Sequence, residues 1–225
     1  MNGIKHIFFD LDNTLWDFKR SSDIALKETF SMFGLVSEFR NYLIFHNIYA
    51  HHNQRMWAKY YNNAITREDL LVSRFKATLK ERGVTDEELA DDMNRCYMDL
   101  CFKYTILYPN TIDTLEYLKQ KKYNCHAISN GFGEVQHEKI NLCGLSSFLK
   151  TVTCSEDIGV CKPHKGIFEH ALSKAGASIE SSVMVGDDIN TDIKGALNFG
   201  LKALHLTPAK SDISIASIAD LKRLL

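Results

Sequence analysis

The sequence predicts an α/β protein, a doubly wound parallel-sheet core (Rossmann-like) interrupted by an inserted all-helical region. Two observations predict it. From residue 106 onward, short apolar runs alternate with helix-length amphipathic stretches, as in a parallel sheet with helices on both faces. Residues 18–105 instead show helix patterns and no strand pattern, although one apolar run, "KHIFFD" at 5–10, precedes them. That first run therefore belongs with the later strands. The expected domains are 1–17 with 106–225 as the core and 18–105 as the insertion.

Taken in order, "KHIFFD" reads as a short buried strand. "SSDIALKETFSMFG" puts Leu26, Phe30 and Phe33 on one face and stops at Gly34. Ser37 is expected to cap a long helix over 38–61, with Phe39, Leu43, His46, Ala50, Asn53, Trp57 and Tyr60 along one stripe. Thr66 with Asp69 resembles a capping box ahead of "LLVSRFKATLKERG", and Thr85 with Glu88 is expected to open a fourth helix. In the second half, "YNCHAIS", "LKTVTCS", "SSVMVGD" and "LKALHLT" read as strands. "TIDTLEYLKQKK", "EVQHEKINLCG", "KGIFEHALSKAG", "TDIKGALNFG" and the tail "IASIADLKRLL" read as helices.

Composition excludes several function classes. The 225 residues are 45% hydrophobic and 24% charged, with a net charge of −1, so neither a nucleic-acid surface nor an anionic membrane partner is expected. No apolar run is long enough to span a bilayer, and the N-terminus lacks a secretory pattern. The six cysteines show no C-x-x-C pair and no zinc spacing, which predicts reduced thiols in a cytoplasmic protein.

Sites in open parallel sheets lie beyond the carboxyl ends of the strands. That rule selects Asp10 and Asp12, then Ser129 and Asn130, then Lys162, then Asp187 and Asp188. Two carboxylates about 4 Å apart repel by roughly 1 to 4 kcal/mol, so a bound cation or a shared proton is implied. Hard oxygen donors with room for phosphate suit Mg²⁺. The bland reading of Asp12-Asn13 is a turn or cap. In "ISNGFG", the Ser129 hydroxyl and the glycine backbone suit an anion at a helix start, and a plain turn would use the same residues. Lys162, ahead of Pro163, would neutralise a phosphate as a point charge; the competing reading is a solvated surface lysine. Together these groups suit phosphoryl transfer, which needs positioning and charge neutralisation above all.

These residues resemble the haloacid dehalogenase superfamily. D-x-D-x-T is Asp10, Asp12 and Thr14; the second motif is Ser129; the third is Lys162 with Pro163; the fourth, "GDDINTD", gives Asp187, Asp188 and Asp192. The resemblance implies that Asp10 is the nucleophile and that Asp12 protonates the leaving oxygen and then activates water, for which a raised pKa is expected. It implies Mg²⁺ on the Asp10 carboxylate, the Asp12 carbonyl and Asp187, with Asp188 and Asp192 holding metal waters or orienting Lys162. Thr14, Ser129, Asn130, the Gly131 amide and Lys162 would surround the phosphoryl group. It also implies that the helical insertion is a cap. Within the superfamily, "TLWDF", "NQRMWAKYYNNAIT", "SRF", "ISNGF" and "VCKPHKGIFEHAL" resemble the pyrimidine 5′-nucleotidase group. The expected partner is a small phosphate ester. Asn53, Trp57 and Arg74 in the cap, with Trp16 and Phe132, are candidate substrate contacts; for each, internal packing is the competing reading.

Three rivals share the residues. N-acylneuraminate phosphatases have a similar fourth motif, and a sugar-phosphate mutase keeps both acids and the metal. A non-enzymatic signalling receiver also places acids, a hydroxyl and a lysine at strand ends. A dehalogenase of this fold is disfavoured, because the resemblance implies that such enzymes lack an acid at the Asp12 position.

Overall fold

The computed structural model describes residues 1, 3–62 and 64–225. Asn63, within the stretch 53–66 quoted above, lies outside them. The chain divides into two compact units, residues 1–19 with 105–225 and residues 20–104.

In the first unit, six parallel strands run in the order β3-β2-β1-β4-β5-β6. They are β1 (His6–Phe9), β2 (Asn124–Ser129), β3 (Leu149–Cys154), β4 (Ser182–Gly186), β5 (Lys202–Leu206) and β6 (Ser214–Ile215). The chain winds outward from β1 to β3, then returns beside β1 with β4 and winds the other way. This reversal leaves a crevice at the carboxyl ends of β1 and β4, where ligands of such sheets bind. Alternation along β1 fills both layers: Ile7 and Phe9 pack with Leu115, Leu118 and Ile140, and Phe8 packs with Ile167, Phe168 and Ala196. The helices responsible are α6 (Thr111–Gln120) and α7 (Gly133–Leu142) on one face, and α8 (Lys165–Ala175) and α9 (Lys194–Phe199) on the other. The short α10 (Leu221–Leu224) closes the chain.

The second unit is helical throughout, with its own aromatic core of Phe30, Phe39, Phe45, Tyr49, Phe75 and Tyr97. Its helices are α1 (Phe18–Met32, which begins in the first unit), α2 (Val36–Phe39), α3 (Tyr42–Tyr61), α4 (Arg67–Lys80) and α5 (Glu87–Lys103). The long helix expected over 38–61 is broken: Arg40 takes a left-handed φ of 64°, and Asn41 caps α3 by accepting from Ile44 N. The Thr66–Asp69 capping box forms in full. At α5 the cap is Asp86 in place of Thr85, its carboxylate accepting from Leu89 N. The fourth-motif stretch opens with a π turn, Ile189–Ile193, before α9. No helix among the described residues is long and apolar enough to cross a membrane.

Candidate active site

The site is built where β1 and β4 end. Asp10 N donates to Val185 O at 2.9 Å, which continues the pairing one residue past β1. The chain then coils tightly: Thr14 N and Leu15 N both donate to Leu11 O, and Asn13 takes φ 64°, a conformation that asparagine tolerates. This coil sends the Asp10 and Asp12 carboxylates to different partners.

Asp10 faces Lys162. The lysine, 2% exposed, gives its three protons to Asp10 Oδ1 at 2.5 Å, Asp192 Oδ1 at 2.8 Å and Ile128 O at 2.7 Å. Burial opposes the ammonium, but Asp10 and Asp192 more than offset it, so Lys162 stays charged. Burial also drives the Asp10 pKa well up; Lys162 opposes this only in part, because Asp192 shares the same ammonium. Asp187 is pushed up to about 6 by burial and by Asp192, while Thr14 Oγ1, donating at 3.2 Å, pulls the other way. A cavity of about 600 Å³ opens beside Thr14 and Asp187, with Lys19, Tyr108 and Thr207 on its wall.

Carboxylate oxygens of Asp10, Asp187 and Asp192 lie within 4.8 Å of one another. Two of these three carboxylates, Asp10 and Asp192, share the one lysine, Lys162. Clustered hard oxygen donors with excess negative charge fit a small divalent cation such as Mg²⁺. This set contains Asp192 and leaves out the Asp12 carboxylate. Gly186 makes room for it, since a Cβ there would stand 2.3 Å from Asp192 Oδ2.

Asp12 is held elsewhere. Its Oδ1 accepts from Trp16 Nε1 at 2.6 Å and Lys139 Nζ at 3.1 Å, and its Oδ2 accepts from Gln136 Nε2 at 2.7 Å. The raised pKa expected of Asp12 is therefore corrected. Burial pushes it up, but the Lys139 charge and the donors of Trp16 and Gln136 win, and the net shift is downward.

Several expected contacts have other tasks here. Ser129 Oγ accepts from Gly131 N at 3.0 Å, so that amide is already engaged. The Asn130 side chain bonds the Lys162 main chain at both ends. Asp188 caps its own turn by accepting from Asn190 N and Thr191 N. Trp16 (1% exposed) packs in the core of the first unit, and Phe132 is 4% exposed. In the helical unit, Arg74 donates to Asn53 Oδ1 at 3.2 Å and Asn94 Oδ1 at 3.1 Å and lies 5.6 Å from the Tyr97 ring centre. Trp57 packs edge-on to Tyr60. Sequence reasoning passed over Lys139 and Gln136. Their signal was on α7: Phe132, Gln136 and Lys139 are spaced as a buried stripe, and two of the three are polar.

Known proteins resemble this chain in sequence and in fold. Residues 4–200 match the haloacid dehalogenase-like hydrolase family. The chain is 31% identical to a glyceraldehyde 3-phosphate phosphatase of Methanothermobacter thermautotrophicus, over 93% of this chain and 90% of that protein. It is 30% identical to the pyrimidine 5′-nucleotidase YjjG of Escherichia coli, over 89% and 84%. The solved structure of the HAD-hydrolase YfnB of Bacillus subtilis, bound to magnesium, superposes with a TM-score of 0.86 at 25% identity, covering 99% of this chain and 98% of that one.

Proposed function

The chain belongs to the haloacid dehalogenase-like hydrolase family, and from that premise we propose that it is a Mg²⁺-dependent phosphomonoester hydrolase. It works through an aspartyl-phosphate on Asp10, and its substrates are pyrimidine nucleoside 5′-monophosphates. The observation that carries the reading is the Asp10 carboxylate just past the carboxyl end of β1, bonded to a buried lysine and flanked by Asp187 and Asp192.

An Asp10 oxygen attacks phosphorus, the ester P–O bond breaks, and the leaving alkoxide takes a proton from Asp12. A water oxygen then attacks the same phosphorus and gives its proton to Asp12. The bond to Asp10 breaks, which releases phosphate, frees the Asp10 carboxylate and leaves the Asp12 carboxyl group protonated as at the start. Lys162 balances the charge of the transferring group. Asp10, Asp187 and Asp192, with the Asp12 carbonyl, would hold Mg²⁺, which when bound neutralises phosphoryl charge. Thr14 and Ser129 help fix the geometry, through Asp187 and Gly131 respectively.

Residues 1–17 with 106–225 act as the catalytic core, and 18–105 as a cap that selects the substrate. The free cysteines fit a reducing, cytoplasmic setting. The test is a panel with and without Mg²⁺: UMP, dUMP, TMP, purine nucleotides, glyceraldehyde 3-phosphate and N-acylneuraminate 9-phosphate. A kcat/KM led by the pyrimidine nucleotides supports the reading. A lead by a sugar or triose phosphate moves the protein to another phosphatase group, and stoichiometric phosphorylation without turnover makes it a receiver.

A further inference from the structure

Lys139 is a buried lysine that the reaction scheme above does not use. It is 3% exposed on α7, and its ammonium pairs with the Asp12 carboxylate at 3.1 Å. Its ammonium lies 4.3 Å from the Phe18 ring centre and 5.5 Å from that of Trp16. Lysines are rarely buried unless paired, because losing water costs several kcal/mol or so. A leucine or methionine at this position would satisfy the same aromatic wall. The lysine answers a charge, and that charge is Asp12.

Gln136 stands one turn earlier on the same face of α7. Its Nε2 donates to Asp12 Oδ2 at 2.7 Å and to Ser129 Oγ at 3.1 Å, tying the first motif to the second. Gly131 leaves the room for this, since a Cβ there would stand 2.0 Å from Gln136 Nε2. With Trp16 on Oδ1, each Asp12 oxygen has a fixed donor. The two acids of the first motif are therefore held apart, each on its own lysine: Asp10 on Lys162 and Asp12 on Lys139.

We propose that Lys139 and Gln136 are positioning residues that fix the Asp12 carboxyl group for its proton transfers. The proposal rests on the reading that Asp12 serves the leaving group and the attacking water. A carboxyl group that swings by an ångström loses most of its value as a proton donor. The cost should depend on the ester. An alkoxide needs a proton as it leaves, whereas p-nitrophenolate does not.

The experiment compares Lys139→Met, Lys139→Arg and Gln136→Met with Asp12→Asn, all with Mg²⁺. First-turnover release is measured for p-nitrophenyl phosphate and for a nucleoside 5′-monophosphate. Lys139→Met should lose about 100-fold in kcat on the nucleotide and under about tenfold in the p-nitrophenol burst, with KM changed little. Lys139→Arg should recover part of the loss, and Gln136→Met should show the same pattern more weakly. Asp12→Asn should show it most strongly. Equal losses on both esters, or none on either, would overturn the positioning role while Asp12→Asn keeps its ester dependence. If Asp12→Asn itself shows no ester dependence, the underlying reading of Asp12 fails instead. Should Lys139→Met fail to fold, Gln136→Met decides by the same two ratios.

Discussion

The carboxamide of Asn130 brackets the main chain of Lys162: Nδ2 donates to Lys162 O at 3.0 Å, and Oδ1 accepts from Lys162 N at 2.7 Å. The loop after β2 thereby fixes the loop that carries the lysine. Asn130→Ala should lower kcat about tenfold to 100-fold by loosening Lys162, and stability by about 1–2 kcal/mol. Steady-state kinetics and urea unfolding check both. An unchanged kcat would mean that the Lys162 loop needs no bracket.

Arg74 is a buried cation whose side-chain hydrogen-bond partners, Asn53 and Asn94, are neutral. Arg74→Met leaves both amide oxygens without their donor and should cost about 2–3 kcal/mol of stability. Denaturant unfolding measures it. A shift in substrate preference with stability intact would instead assign Arg74 to substrate contact.

His126 is buried beside His6 (3.1 Å) and Thr151 (2.8 Å), and burial with the nearby charges of His6 and Lys150 brings its pKa from 6.5 down to about 4. The folded form prefers the neutral ring, so the contribution is whole above pH 6.5 and declines as pH falls toward 4. The full loss is about 3 kcal/mol. Unfolding free energies of the wild type and His126→Gln at pH 7 and 4.5 should converge at the lower pH. Parallel curves would rule out this residue as the cause.

Asp187, pushed up to about 6 by burial and Asp192, bears on the metal. Its folded pKa is raised, so without a cation it favours the folded state below pH 3.8 and that favour is lost as pH rises toward 6. Mg²⁺ should offset the loss. EDTA should abolish turnover, Mg²⁺ should restore it, and the rise in Tm with Mg²⁺ should be larger at pH 7 than at pH 5. Full activity in EDTA would contradict the metal assignment.

The sheet was legible because β1, β2, β4 and β5 are apolar runs ending in turn or acidic residues. The two-residue β6 was not, being too short to carry a pattern. The strand-end rule located Asp10, Ser129 and Asp187, because position along a strand is fixed by the backbone, whereas Lys162 enters from the loop between β3 and α8. What each side chain bonds was less legible. Asn130 turning to Lys162, and Lys139 reaching Asp12, are contacts across 32 and 127 residues that only the packed fold defines. The break at Arg40 escaped for a different reason, since arginine gives no local sign of a left-handed backbone.

The central claim is tested most directly by trapping the covalent intermediate. Enzyme with Mg²⁺ and a good substrate is quenched within one turnover, reduced with borohydride, digested and read by mass spectrometry. The account predicts homoserine at position 10, the reduction product of an aspartyl-phosphate, and none in Asp10→Asn. An unmodified Asp10 alongside full first-turnover phosphate release, or the modification at another carboxylate, would contradict it.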